Sequence, residues 1–191
     1  ADIRWLWLTH TDPDHIGSLM EVLAEAPNAR LVTTYLAMGK LSLYGIDVAH
    51  RAYLVNPGQE LHVGDRTLLA FRPPTFDSPE STGFQDTQTG AMFSVDSFGA
   101  LLSEPAARAT DIPPAALEQG LVRWRTVDSP WLELVDRGRF GRSLDTLRRM
   151  DPSIILSSHP PPAVGMTETL LEHLRRLLED HDAGALADRR Q

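Results

Sequence analysis

His10-Thr11-Asp12-Pro13-Asp14-His15 places four side chains able to ligate a metal within six residues. The apolar run Ile3-Arg4-Trp5-Leu6-Trp7-Leu8 precedes it. Ile16, Leu19, Met20 and Leu23 follow it at helical spacing. The cluster therefore sits where a buried strand runs through a loop into a helix. Imidazole suits Zn, Fe, Ni and Cu, and carboxylates add anionic oxygen that favours harder ions. In an extended loop residues i and i+2 face the same way, so His10 and Asp12 can grip one ion. Asp14 and His15, at the helix start, then present to a second ion, and a carboxylate from elsewhere can bridge two ions about 3.5–4 Å apart. Taken singly, Asp14 reads as a helix cap, Asp12-Pro13 as a turn and His10 as a strand-end residue. Those readings do not account for all of them meeting on one strand–loop–helix.

The rest of the composition narrows the chemistry. There is no cysteine, which excludes disulfides, zinc–thiolate sites, iron–sulfur clusters and thiol catalysis. Any metal falls to the 7 His and the 26 Asp and Glu. A net charge of −8 disfavours duplex nucleic acid as a partner, and a bound cation would neutralise part of it. With 42% hydrophobic residues in 191, the chain can bury the core of one α/β domain. No apolar run reaches the roughly 18–20 residues of a membrane span. The opening Ala1-Asp2-Ile3-Arg4-Trp5 lacks both Met and a signal-peptide layout, so a processed chain or a piece of a longer protein is expected, from which an export signal could be missing; the location expected is cytoplasmic, with no membrane partner.

Patterning predicts strands at 3–8, 31–35, 92–95 and 153–156, and a hairpin of 59–63 with 67–71 about Gly64-Asp65-Arg66. It predicts helices from Ile16 to Pro27, with Asp14 in the cap position, and at 38–44, 115–123, 130–150 and 167–178. Residues 73–90 and 103–115 read as loops, rich in Pro, Gly and small polar residues. Three of the strands end in His or Asp followed by turn residues, which converges their ligands on one site. One domain over 1–180 and a charged tail at 181–191 are expected.

Thr9-His10-Thr11-Asp12-Pro13-Asp14-His15-Ile16-Gly17-Ser18-Leu19 resembles the first metal motif of the metallo-β-lactamase superfamily, usually H-x-H-x-D-H. The acid at the middle position is similar to the flavodiiron branch, which writes H-x-E-x-D-H and binds two irons; Asp12 is one methylene shorter than that Glu. Phe93-Ser94-Val95-Asp96-Ser97-Phe98-Gly99 resembles the segment with the bridging aspartate, and Ser158-His159 the last ligand. The intervals, 81 residues from His15 to Asp96 and 63 from there to His159, suit the family. Asp77, in Asp77-Ser78-Pro79-Glu80-Ser81, stands where the family has a His, 19 residues before Asp96. His50 and His62 are weaker substitutes. The resemblance implies an αββα sandwich. Only one strand precedes the first motif, so the family's first strands are expected to lie outside this sequence. A sheet edge left open in this way is prone to pairing, which admits a homodimer.

The resemblance implies one iron held by His10, Asp12, Asp77 and Asp96, and a second by Asp14, His15, Asp96 and His159. The ligand would be O2 or NO. Only 11 residues follow Asp180, so neither a flavodoxin-like domain nor an FMN site is expected, and a reductase would draw on a separate electron donor. The alternative is a binuclear zinc or manganese hydrolase of a thioester, lactone or phosphodiester. There Asp14 would orient the attacking water or act as base. A non-catalytic, degenerate member is the third reading. Trp5, Trp7, Trp124 and Trp131 read as packing groups, and Arg148-Arg149 and Arg175-Arg176 as solvated helix faces. Gly138-Arg139-Phe140-Gly141-Arg142 reads as a helix irregularity.

Overall fold

The computed structural model describes residues 2–176. Within them the chain forms two compact units. One takes in residues up to 73 together with 77–88; the other takes in 74–76 and everything from 89 onward.

In the first unit the strand entering the His–Asp loop is β1, Trp5–Trp7. It leads to α1, Pro13–Ile16, and α2, Leu19–Glu25. Then come β2, Arg30–Thr33, α3, Tyr35–Leu43, and β3, Ala52–Leu54. The three strands form a parallel sheet in the order β1-β2-β3, with Leu6 opposite Leu31 and Leu31 opposite Ala52. An antiparallel set follows: β4, Glu60–His62, β5, Thr67–Phe71, and β6, Gly83–Asp86.

Strand β2 is buried on both faces. Leu31 packs with Leu8, Leu19, Leu23, Leu41 and Val48 on the helix side. Val32, one residue on, packs with Val55, Leu61 and Ala70 of the hairpin side. In β1, Leu6 joins the first group while Trp5 and Trp7 join the second. This two-residue alternation holds the sheet between a helical layer and a second sheet. Arg51 fastens the helical layer: its guanidinium donates to the carbonyls of Leu23 at 2.8 Å, of Ala29 and of Ala26. It thereby satisfies acceptors at the end of α2 and beyond.

In the second unit β7, Ala91–Phe93, pairs in parallel with β8, Ile154–Leu156, and β8 pairs antiparallel with β9, Ala163–Val164. The helices are α4, Pro114–Asp128, and α5, Arg137–Arg149, with a 3-10 turn over Pro130–Leu134 between them. The chain is helical again from 167 to 176. The Asp136 side chain caps α5 by accepting from the Arg139 amide at 2.7 Å, and Phe140, Leu144 and Leu147 form its buried stripe. No helix among the described residues is long and apolar enough to cross a membrane.

Several expectations are corrected. Residues 83–86, expected in a loop, form β6. Gly-Phe-Gln-Asp carries no apolar alternation, and pairing with β5 overrides its weak strand propensity. The short strands β3 and β9 were likewise not expected. The helix expected from Ile16 begins instead at Pro13, a residue preset for the first helical position. Asp12, extended at φ −71 and ψ 153, takes the cap position, and Asp14 lies inside the first turn. The helix expected over 130–150 is a 3-10 turn followed by α5, and the Gly138–Arg142 stretch lies within α5 without a break. The expected tail at 181–191 lies outside the described residues.

After β7 the backbone turns through Val95 at φ 58 and Phe98 at φ 67, conformations that side chains rarely adopt. Gly99 follows against Trp124: a Cβ there would lie 2.3 Å from the indole nitrogen. Gly99→Ala is therefore expected to destabilise by about 1–3 kcal/mol. That lowers the melting temperature by roughly 2–4 °C per kcal/mol, as thermal denaturation would show. An unchanged melting temperature would show that the Trp124 ring gives way freely.

Candidate metal centre

The His–Asp loop starts as β1 ends. The Trp7 indole donates to the Thr82 carbonyl at 3.2 Å, and the Thr82 amide donates to the Thr9 carbonyl at 3.0 Å. Trp7 also packs on Phe84, with ring centroids 4.6 Å apart. These contacts lay segment 77–82 beside residues 9–12. His10 is fully buried, and its Nε2 lies 3.9 Å from Asp77 Oδ1. His10, Asp12 and Asp77 each offer a ligand atom within 4.8 Å of the others. Ligands sharing one ion at about 2.0–2.2 Å stand no more than about twice that apart, so the spacing fits one ion after small side-chain adjustment.

The imidazoles are oriented for this. The Thr9 hydroxyl lies 3.2 Å from Nδ1 of His10 and 3.3 Å from Nδ1 of His15, and the two rings are 3.8 Å apart. Contact at Nδ1 turns Nε2 of each ring toward a carboxylate, that of His10 toward Asp77 and that of His15 toward Asp14, and a contact of this kind fixes tautomer and ring plane. Asp14, largely exposed, approaches His15 Nε2 at 3.3 Å.

Two carboxylates meet at Asp12 and Asp77. Burial opposes charge on Asp12. The Ser78 hydroxyl, a hydrogen bond with Asp77, and the nearby His10 and Lys40 outweigh it and hold its carboxyl below the usual range. Ser78 Oγ donates to Asp12 Oδ1 at 2.8 Å. Close by, the buried Glu80 accepts from Thr11 Oγ1 at 2.7 Å and from the Lys40 ammonium.

In the second unit, Asp96 lies in the positive-φ turn after β7 and is 3% exposed. His159 Nε2 is 3.2 Å from Asp96 Oδ1, and its ring stacks on Trp124 with centroids 4.1 Å apart. The Val95 carbonyl accepts from the Ser158 amide at 2.8 Å and from Ser157 Oγ at 3.0 Å, which joins the ends of β7 and β8 and so brings Asp96 to His159. Non-glycine residues at positive φ cost of order 1–3 kcal/mol each and persist where the surroundings over-determine them.

The structure thus brings together His10, Asp12 and Asp77, places Asp14 with His15, and pairs Asp96 with His159. His50 and His62 are exposed and fall outside the candidate donor groups among the described residues. His62 instead meets Thr67 Oγ1 at 2.8 Å. Sequence reasoning missed Thr9, Lys40, Ser78 and Glu80 as partners of the ligands. It also missed Asp128, a buried residue whose carboxylate comes within 4.8 Å of that of Asp96. Asp128 carried a readable signal, an acid at the C-terminal end of α4 where the helix dipole opposes it.

These elements and donors define an α/β protein of the metallo-β-lactamase type. Rubredoxin oxygen:oxidoreductase from Desulfovibrio gigas superimposes with a TM-score of 0.78 at 18% identity, over 93% of this chain and 43% of that one. The chemotaxis sensor ODP, solved as a peroxy diiron species, superimposes with a TM-score of 0.67 at 17% identity, over 92% of this chain and 70% of that one. At these identities the likeness shows the fold. An anaerobic nitric oxide reductase flavorubredoxin from Pectobacterium atrosepticum is 28% identical over 98 residues, 51% of this chain and 19% of that protein. The family model for the ODP family beta lactamase matches residues 1–124, and the chain belongs to that family. It spans at most 39% of the length of the first curated relatives it matches.

The Glu80–Lys40 pair has a pH signature. Burial opposes the charge on Glu80, but Lys40 and Thr11 hold its carboxyl below the usual range. Burial likewise opposes the charge on Lys40, and Glu80 raises its ammonium above the usual value. Stability from Glu80 is therefore present above the unfolded value of about 4.3 and lost as pH falls through the lower folded value. Stability from Lys40 is present below about 10.4 and lost as pH rises through the higher folded value. Glu80→Gln should melt lower than wild type at neutral pH, with the gap closing on acidification below about pH 4. Melting curves across pH check this, and a gap independent of pH would contradict it.

Proposed function

We propose that the chain is the iron-binding domain of a non-haem diiron protein that binds or reduces O2 or NO. The observation that carries this reading is the convergence of His10, Asp12 and Asp77, a nitrogen- and oxygen-only donor set with acid at two of its three positions. Such a set favours harder ions than a thiolate-containing one and is compatible with iron. The names of similar proteins, an oxygen oxidoreductase, a nitric oxide reductase and a diiron sensor, support the same reading.

His10, Asp12 and Asp77 would hold one iron. For the second iron the resemblance implies Asp14, His15 and His159, with Asp96 as bridge. When bound, the irons supply redox-active centres with coordination positions open to a small ligand. The chain's own residues do the rest. Thr9 orients the imidazoles, and the extra carboxylate of Asp77 adds negative charge that favours the oxidised metal. In a reductase the electrons would come from a separate donor; a sensor needs none.

Anaerobic reconstitution of the full chain with ferrous iron tests this. About two irons per chain are expected, followed by spectral change on adding NO or O2. Zinc bound in their place, with turnover of a thioester or phosphodiester, would contradict it. Asp77→Ala should lower the iron content toward one, whereas Asp77→His should raise occupancy of the site shared with His10 and Asp12. Iron content indifferent to both changes would place Asp77 outside the centre.

A further inference from the structure

A buried ion pair is weak evidence of stability, because desolvating both charges offsets most of their attraction. The Glu80 side chain is nevertheless 0% exposed and is paired with Lys40 of α3, itself 26% exposed. The position of this pair suggests a purpose beyond stability. Glu80 Oε1 also takes the hydroxyl of Thr11, which lies between His10 and Asp12. On the other side Lys40 Nζ reaches Ser78 Oγ at 3.5 Å, and Ser78 directly follows Asp77. The Thr34 hydroxyl, which caps α3 by accepting from the Ala37 amide at 3.1 Å, donates to the Glu80 carbonyl at 3.4 Å. Both ligand-bearing loops are thus fastened to one helix, at its cap by Thr34 and in its last turn by Lys40.

The chemistry of the chain of contacts has a direction. A serine hydroxyl has one proton and can both donate and accept. Lys40 is donor-only, so Ser78 accepts from it and commits its own proton to Asp12 Oδ1 at 2.8 Å. That engages one carboxylate oxygen, sets the plane of the group and leaves the other oxygen for an ion. Asp12 has a shorter side chain than the Glu implied at this position by the resemblance, so its reach depends more on such support.

We propose that Ser78, backed by the pairing of half-buried Lys40 with buried Glu80, is a positioning residue that holds the Asp12 carboxylate in its ligating orientation. This rests on the diiron reading. Contacts of this kind to a ligand typically change metal affinity 10–100-fold.

The test is anaerobic iron titration of the full chain as wild type, Ser78→Ala, Ser78→Thr and the charge-neutral double variant Lys40→Met with Glu80→Gln. Melting of each iron-free protein is followed alongside. Ser78→Ala should weaken one of the two irons about 10–100-fold, leave the other at its wild-type affinity and keep the iron-free melting temperature close to wild type. Ser78→Thr, which keeps the hydroxyl, should restore the weakened iron. The double variant should weaken the same iron. Wild-type affinity for both irons in Ser78→Ala would overturn the inference while leaving the diiron reading intact. Equal loss of both irons together with a lowered melting temperature would also overturn it, showing a structural role only. Wild-type protein that takes up no iron would overturn both readings, before any variant is compared.

Discussion

Two carboxylates, Asp12 and Asp77, are held beside the buried imidazole of His10. Their hydrogen bond requires a proton on one of them; with both ionised they would repel, more so away from water. The chain opposes this with hydrogen bonds and with the positive charge of Lys40, yet still gathers more acid than base at one point. A cation that takes all three donors would relieve the repulsion and desolvation together. Much of the first unit serves to hold these donors in place.

That scaffold is built from ordinary forces. Leu31 and Val32 anchor β2 on both faces, β1 pairs beside it, and the residues leaving β1 therefore emerge at a fixed position. Trp7 and Thr82 then tie the 77–82 segment to the same point. In the second unit the corresponding device is conformational: Val95 and Phe98 accept unfavourable backbone angles, and Asp96 is brought to His159. Apolar packing carries the first arrangement, and local strain held by neighbouring strands carries the second.

Much of this was readable in the chain. The apolar run at 3–8 and the hairpin follow from local pattern, and both formed with shifts of one or two residues at their ends, whereas the helix expected from 130 begins only at Arg137, after a 3-10 turn. The His10–Asp12 partnership followed from i, i+2 geometry in an extended loop. Asp77 came only from the resemblance, because nothing local in Asp77-Ser78-Pro79 separates a ligand from a turn. Strand β6 was not legible, since Gly83-Phe84-Gln85-Asp86 owes its conformation to β5. The Lys40–Glu80 pair joins residues 40 apart, and no local pattern marks either partner.

The diiron function requires that His10, Asp12 and Asp77 share an ion. A crystal structure of the iron-loaded protein, with anomalous differences collected across the iron edge, decides this most directly. An iron peak is expected about 2.0–2.2 Å from His10 Nε2 and from one carboxylate oxygen each of Asp12 and Asp77. An iron-loaded protein with no peak among these three, or with Asp77 turned away from the peak, would contradict it.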